Sequence, residues 1–154
     1  MMAKYSTDLN NIKLSEKEKY LADEIRSILA ATERFYESVK MQNIYRPITL
    51  HKRKTGLEHF DNLKDIYIPY IRWVEYVGHD RVYLKWKDVA AVLDRANATA
   101  DERILHIRLE MEFRRLHLEI KSSIDHLKNS IQLGQDLKKL LKNQNISLKM
   151  FNHF

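Results

Sequence analysis

The sequence predicts an all-α fold, a bundle of four to five helices, and two observations carry this prediction. The 154 residues include only three glycines and two prolines, whereas an all-β fold of this length needs many tight turns that recruit both residue types. Apolar residues also recur every three or four positions over long stretches, which is the spacing of one face of an α-helix. The length is that of one ordinary domain.

The first predicted helix spans residues 15–41. Ser15 and Glu18 have the spacing of a capping box, in which the serine hydroxyl accepts from the amide of Glu18 while the Glu18 side chain reaches back to the serine. Apolar side chains then follow at intervals of three and four residues: Leu21, Ile25, Ile28, Phe35 and Val39. This pattern predicts one buried helix face.

Residues 42–54 are interpreted as a connection because they are basic and contain Pro47, although a short extended piece is also compatible with them. A second capping box at 55–58 and the apolar spacing after it predict helical structure over 57–77. Pro69 interrupts this pattern, since proline removes a backbone donor and clashes with the preceding turn. The pattern therefore predicts either one kinked helix or two helices.

Residues 80–96 predict a further helix. Val82, Leu84 and Trp86 alternate as they would in a short strand, so a strand is the alternative interpretation of this segment. We favour a helix, because a lone strand in an otherwise helical chain would have no neighbour for its backbone hydrogen bonds.

The last predicted helix covers about 100–142 and is unusually long. A capping box at Thr99 and Glu102 opens it, and no proline follows. At 1.5 Å per residue such a helix would be about 64 Å long, which exceeds the width of a compact domain of this size. We therefore expect that it either breaks, near Ser122-Ser123 or Gly134, or projects and pairs with another chain.

These elements predict one domain with loose ends. Residues 1–14 are polar, lack a usable period and are interpreted as a flexible N-terminal arm. Residues 15–142 form a single helical domain, and residues 143–154 form a flexible C-terminal tail. No internal repeat and no linker between domains is recognisable.

The composition excludes several kinds of chemistry. Without cysteine, disulfides, cysteine-based zinc sites and cysteine nucleophiles are impossible, and no glycine-rich phosphate loop is present. His106, Glu110 and His117 share a helical stripe, but the chain lacks a His-Glu-x-x-His motif and paired Glu-x-x-His motifs, so we predict no metal site and no cofactor. The most apolar stretch, 66–77, is shorter than the roughly 20 residues of a membrane helix, and we expect a cytoplasmic protein without membrane contact.

Two segments match Arg-x(4–6)-His, a motif of small all-helical endoribonucleases of the HEPN type. They pair Arg46 with His51 and Arg53 with His59, and the second superficially resembles the arrangement in that family because His59 would lie in the first turns of a helix. A chain with this many arginines and histidines contains about as many matches by chance. A helical ribonuclease that uses Arg53 and His59 is therefore our third hypothesis, and we predict that the protein is not an enzyme.

The net charge of +6 is concentrated in two segments. Residues 40–54 contain five basic residues and no acidic one, and residues 121–149 contain six lysines against two aspartates. Positive loops attract phosphates and release counterions, and neighbouring aromatic rings can stack on bases. A nucleic-acid-binding accessory factor is therefore our second hypothesis. Its candidate site residues are Arg46, Lys52, Arg53 and Lys54.

The leading hypothesis is a non-enzymatic interaction protein of regulatory or accessory type. The apolar stripe of the last helix is longer than one small bundle would cover, and no convincing catalytic set accompanies it. We therefore expect a protein partner, with the chain itself as the first candidate in a homo-oligomer. The candidate self-association residues are Ile120, Ile124, Leu127 and Ile131.

Overall fold

The computed structural model describes residues 14–153 and has an α+β fold. The elements in chain order are α1 (Glu16–Lys40), β1 (Ile48–Arg53), a 3₁₀ turn (Asp61–Leu63), β2 (Ile68–Val77), β3 (Asp80–Leu84), α2 (Trp86–Arg95), α3 (Ala100–Asn143) and α4 (Leu148–Phe151). The three strands form one antiparallel sheet in the order β1-β2-β3. The prediction of an all-α helical bundle is therefore wrong.

The two long helices begin where their capping sequences predict. The Ser15 hydroxyl accepts from the amide of Glu18 at the start of α1, and Thr99 and Glu102 form a complete capping box at the start of α3. Both caps satisfy backbone donors that the first helical turn leaves unpaired. α3 continues without a break for 44 residues, so of the two alternatives for this helix the continuous one is found.

The helix predicted over 57–77 is replaced by a turn and by strand β2. Residues 68–77 are rich in aromatic and β-branched side chains, which favour a pleated surface over a helix. Gly78 follows at a φ of +64°, a left-handed conformation that glycine adopts without a steric penalty and that suits a two-residue hairpin loop. The proline at position 69 is tolerated because it stands near the start of its strand.

The helix predicted over 80–96 is only half correct, because β3 occupies its first part and α2 the rest. The alternation of Val82 and Leu84 is that of a strand, and β2 supplies the partner: Leu84 lies opposite Trp73 and Val82 opposite Glu75. We favoured a helix for residues 80–84 because a lone strand would lack a hydrogen-bonding neighbour. Because β2 is a strand, β3 has that neighbour. One wrong assignment therefore caused the other.

The second capping box forms hydrogen bonds without starting a long helix. The Glu58 carboxylate accepts from the Thr55 amide at 2.7 Å, and the Thr55 hydroxyl accepts from the Leu57 amide at 3.1 Å. Only the short 3₁₀ turn follows. Phe60 and Leu63 of this segment are buried in the core, so their burial, and not the local cap, decides the path of the chain.

Two clusters of buried side chains join the helices to the sheet. The first lies between α1, α3 and the segment before β2, and it includes Ile25, Leu29, Phe60, Ile120, Ile124 and Leu127. The second lies between the sheet, α2 and the first half of α3, and it includes Val39, Ile48, Trp73, Val89, Leu109 and Phe113. Burial of one such side chain contributes about 1.5–3 kcal/mol, so these clusters dominate the stability of the domain.

His106 belongs to this interior and is fully buried. Its Nε2 accepts from the Tyr45 amide at 3.2 Å, and its Nδ1 lies 2.6 Å from the Glu102 carbonyl oxygen. An amide can only donate and a carbonyl can only accept, so the proton resides on Nδ1 and the ring is neutral. The ring also stacks on Trp73 at 5.6 Å. His106 is therefore a structural residue.

The structure describes only part of the two ends of the chain that we predicted to be flexible. Residues 1–13 of the predicted arm lie outside the described residues, and Leu14 is buried. After α3 the chain turns at Asn145, which has a φ of +55°, and the Ile146 amide donates to the Leu141 carbonyl. The segment predicted as a flexible tail contains this turn and the short helix α4, and its flexibility stays a prediction.

Candidate nucleic-acid interface

The strands of the sheet present two chemically different faces, because successive side chains alternate across a strand. Ile48, Ile71 and Trp73 point towards the helices and pack in the second core cluster. The opposite face carries cationic and aromatic side chains. We call it the outer sheet face and define it by His51, Arg53, Tyr70, Arg72, Arg81 and Tyr83.

The strand register brings residues from all three strands together on this face. His51 lies opposite Tyr70 in the β1–β2 pair. In the β2–β3 pair, Tyr83 lies opposite Val74, two residues beyond Arg72 on the same face of β2. Backbone pairing, and not side-chain flexibility, therefore sets the spacing of the aromatic and cationic groups.

A row of cation–aromatic contacts crosses the outer sheet face. The Arg53 guanidinium lies 4.1 Å from the Tyr70 ring centroid. The Arg72 guanidinium lies 5.3 Å from the Tyr70 centroid and 5.2 Å from the Tyr83 centroid. His51 continues the row, since its ring centroid is 5.1 Å from that of Tyr83 and its Nε2 is hydrogen-bonded to the tyrosine hydroxyl. One arginine thus stands between two tyrosine rings.

The positive charge of the outer sheet face is not neutralised by the protein itself. None of Arg53, Arg72 and Arg81 makes an ion pair with any other residue in the range 14–153. Arg81 only donates to the Thr49 hydroxyl at 3.3 Å. No acidic side chain stands at an outward position of the three strands, because Glu75 of β2 points to the other face. These guanidinium groups are therefore available to an anionic ligand.

The outer sheet face is also accessible. Arg53, Arg81 and Tyr83 are exposed, and Tyr70 and Arg72 are half-buried. Tyr70 is supported from behind by His117 of α3, whose ring centroid lies 4.1 Å away. Because the Arg53 guanidinium also lies over this ring, the orientation of Tyr70 is fixed, and the exposed Tyr83 ring is the one that a ligand can stack on.

Of the four residues predicted to bind nucleic acid, only Arg53 lies on the outer sheet face. Arg46 is 3.8 Å from Glu75 in an ion pair and donates to the Tyr45 carbonyl. Lys52 points to the helical side of the sheet, where it pairs with Glu33 at 3.2 Å. Lys54 lies just beyond β1 and is exposed.

Lys52 is held in a small network that explains its orientation. Its ammonium lies 4.7 Å from the Tyr67 ring centroid, and the Tyr67 hydroxyl donates to the Glu33 carboxylate. The Tyr67 hydroxyl and Lys52 together hold the pKa of the Glu33 carboxyl below its usual value. Lys52 therefore serves to attach β1 to α1.

The remaining residues of the outer sheet face were missed by sequence reasoning. Tyr70-x-Arg72 and Arg81-x-Tyr83 both place an aromatic and a cation at alternate positions, which is the spacing of one strand face. This signal was present, but it is visible only when both segments are assigned as strands. The basic segment 121–149 belongs to α3 and to the turn and helix after it, and its lysines are not among the residues of the outer sheet face.

The other predicted constellations are not assembled into sites. His59 stacks on Phe60 with a centroid distance of 4.2 Å, whereas Arg53 lies over Tyr70. Glu110 accepts from the Trp73 indole at 2.8 Å. Within residues 14–153, no three or more histidine, aspartate or glutamate side chains meet in an arrangement that could hold a metal ion.

The four predicted self-association residues lie inside the monomer. Ile120, Ile124 and Leu127 have no exposed surface, and Ile131 is 8% exposed. All four pack against α1 and the segment before β2 in the first core cluster. We expected this apolar stripe of α3 to be too long for a small bundle to cover, but α1 and the segment before β2 cover these four residues.

None of the helices in residues 14–153 combines the length and the apolar character that crossing a membrane requires. Searches of family models, curated proteins and solved structures with this chain find no match.

Proposed function

We propose that the protein is a non-enzymatic binding protein whose partner is a single-stranded nucleic acid, held on the outer sheet face. The observation that carries the proposal is the position of Arg72 within 5.3 Å of the Tyr70 ring and 5.2 Å of the Tyr83 ring, with no acidic residue on the same face. Alternating cations and aromatic rings match the two kinds of group in a nucleic-acid strand, because cations bind its phosphates and aromatic rings stack on its flat bases.

A single strand fits this face better than a duplex. Protein aromatic rings can stack only on bases that are not already stacked inside a helix. The sheet is a broad surface and not a helix or loop that could enter a groove. The arginines can contact phosphates of either form, so the tyrosines decide the preference.

The same contacts have a purely structural interpretation that experiments can separate from binding. Cross-strand pairs of arginine and tyrosine stabilise an exposed sheet by about 0.2–1 kcal/mol each. An acidic protein segment could also use the arginines, but it has no need of flat rings. The binding experiments below therefore vary the strandedness of the ligand and the rings of the protein independently.

The protein is expected to bind short single-stranded RNA or DNA more tightly than duplexes of the same length. Fluorescence anisotropy at two salt concentrations provides the measurement. Neutralisation of about three phosphates gives a slope of about −2 for log affinity against log salt on single strands. No binding at low salt, or equal binding of single and double strands, contradicts the proposal.

Replacement of Tyr83 by alanine is expected to weaken single-strand binding by about 5- to 150-fold, since loss of one stacked ring costs about 1–3 kcal/mol. The salt slope should stay the same, because the ring carries no charge. Tyr20→Ala provides the matched control, as Tyr20 is an exposed tyrosine on α1. Equal affinities for the two variants would show that stacking on Tyr83 plays no part.

A further inference from the structure

The side of α3 that faces away from the core carries a second apolar stripe. Its members are between 45% and 69% exposed, and the described part of the chain leaves the whole length of the stripe open. We call it the outer α3 stripe. It consists of Ile104, Ile107, Met111, Leu118, Leu133 and Leu140.

These six residues form one stripe because of their spacing. Successive residues of an α-helix are rotated by about 100°, and the six side chains fall within an arc of about 80°. The buried residues of α3, such as Phe113 and Ile120, lie on the opposite side of the helix. From Ile104 to Leu140 the stripe extends over about 54 Å, with one apolar part at 104–118 and a second at 133–140. Exposed apolar patches of this kind mark interaction sites.

Four of the six residues of the outer α3 stripe are placed symmetrically about Ser122. Met111 and Leu133 lie equally far before and after this residue, and so do Ile104 and Leu140. In an antiparallel pair of α3 helices with a two-fold axis at Ser122, these residues therefore meet one another, Ile107 meets the half-buried Leu137, and Leu118 meets His126. Self-complementarity of this kind is what a two-fold homodimer requires.

One pair of opposite charges beside the stripe follows the same symmetry. Arg108 and Asp136 are also equidistant from Ser122 and carry opposite charge. Within residues 14–153 Arg108 has no ion-pair partner, and the only recorded hydrogen bond of the Asp136 carboxylate is from Gln132. In this register, Arg108 of each copy faces Asp136 of the other copy, so the pair forms at both ends of the contact. A parallel pair would instead bring Arg108 near Arg108.

We propose that the protein forms an antiparallel homodimer through the outer α3 stripe, with Ser122 at the two-fold axis. The small Ser122 side chain allows the helix axes to approach to about 8–10 Å, the usual distance for packed helices. Arg115 and Asn129 meet across the same contact and form a polar layer, which specifies register in helix pairs at some cost in stability. This surface is independent of the outer sheet face.

The first test uses the absence of cysteine in the natural chain. Ser122→Cys is expected to form an intermolecular disulfide under mild oxidation, because the two Cα atoms on the axis fall within the 4.4–6.8 Å that a disulfide needs. Ser123→Cys is the matched control, since its side chain is rotated by about 100° and points away from the axis. Cross-linking of both variants to the same extent, or of neither, overturns the proposed register.

A second cross-link distinguishes the antiparallel from the parallel arrangement. Chains with Ile104→Cys mixed with chains with Leu140→Cys are expected to form the mixed disulfide in preference to either homodimer. A parallel pair gives the two homodimers instead, which contradicts the proposal.

The third test is the mass in solution, measured by sedimentation or light scattering. Wild type is expected to be dimeric, and Leu133→Glu should raise the dissociation constant at least about 10-fold, equivalent to 1.4 kcal/mol. Arg108→Glu should weaken the dimer, and the added change Asp136→Arg should restore it. A wild type that is monomeric at high concentration, or a double variant weaker than both single variants, overturns the proposal. None of these outcomes depends on nucleic-acid binding.

Discussion

Replacing Arg53, Arg72 and Arg81 together with alanine is expected to abolish single-strand binding. A hydrogen bond to a charged group contributes about 1.5–3 kcal/mol, so loss of three phosphate contacts reduces the affinity by about 10³-fold or more. The salt dependence should flatten towards zero, because no counterions are then released. The same anisotropy titration measures both effects.

A second triple variant controls for net charge. Lys121, Lys138 and Lys139 are exposed residues of α3, and their replacement by alanine removes the same three charges from a surface far along the chain from the sheet. This variant should bind almost as tightly as wild type and keep its salt slope. If it loses as much affinity as the arginine variant, attraction to phosphate is a property of the whole basic chain and the site assignment is wrong. Thermal unfolding of both variants checks that the sheet is intact.

Leu127→Asp is expected to prevent cooperative folding. The Leu127 side chain is fully buried in the first core cluster, where even truncation to alanine costs about 2–5 kcal/mol. An aspartate there adds the cost of an unpaired polar or charged group, several kcal/mol more. Domains of this size are stable by only about 5–15 kcal/mol. Circular dichroism with urea unfolding should therefore show a loss of most or all of the stability.

Leu118→Asp is the matched control on the same helix. Leu118 is 65% exposed, so the change should alter the unfolding free energy of the monomer by no more than about 0.5 kcal/mol. The comparison must be made at a concentration at which the chain is monomeric, since association would stabilise the wild type by mass action. Similar stability of the two variants would contradict the assignment of inner and outer sides of α3.

This pair of variants also separates folding from association. A charge at Leu127 or Ile131 would unfold the monomer, so a change in mass after such a substitution says nothing about an oligomer. Substitutions in the outer α3 stripe leave the core untouched and report on association alone. Self-association should therefore be tested on the outer α3 stripe. This stripe lies on the side of α3 opposite to Leu127 and Ile131.

Of the residues on the outer sheet face, the sequence-based prediction of a nucleic-acid site named only Arg53. Four basic residues in a short segment look equivalent in a sequence, but alternation along β1 separates Lys52 from Arg53 and sends them to opposite faces. Arg72, Arg81 and Tyr83 lie 19 or more residues further along, and only the pairing of β2 with β1 and β3 brings them to Arg53. Pairing between strands that are distant in the sequence cannot be predicted from the residues around each paired position.

Local signals in the sequence were sufficient to predict the two long helices. The capping residues Ser15 and Thr99 begin α1 and α3 at the predicted positions, because a cap acts within one helical turn. The length of α3 follows from a regular apolar spacing that no proline interrupts.

The fold of the middle of the chain and the exposure of its surfaces depend on contacts between residues that are distant in the sequence. Residues 68–84 satisfy a helical spacing and a strand alternation at once, and the balance is set by three strands that exchange backbone hydrogen bonds and cover one another. Only the Glu58 half of the capping box at Thr55 forms, and no long helix follows it, since burial of Phe60 and Leu63 contributes more than the roughly 1 kcal/mol of a cap. The same packing buries the regularly spaced apolar stripe of α3 and leaves the more widely spaced outer α3 stripe open. Which side of the helix is buried is decided by the elements that pack against it.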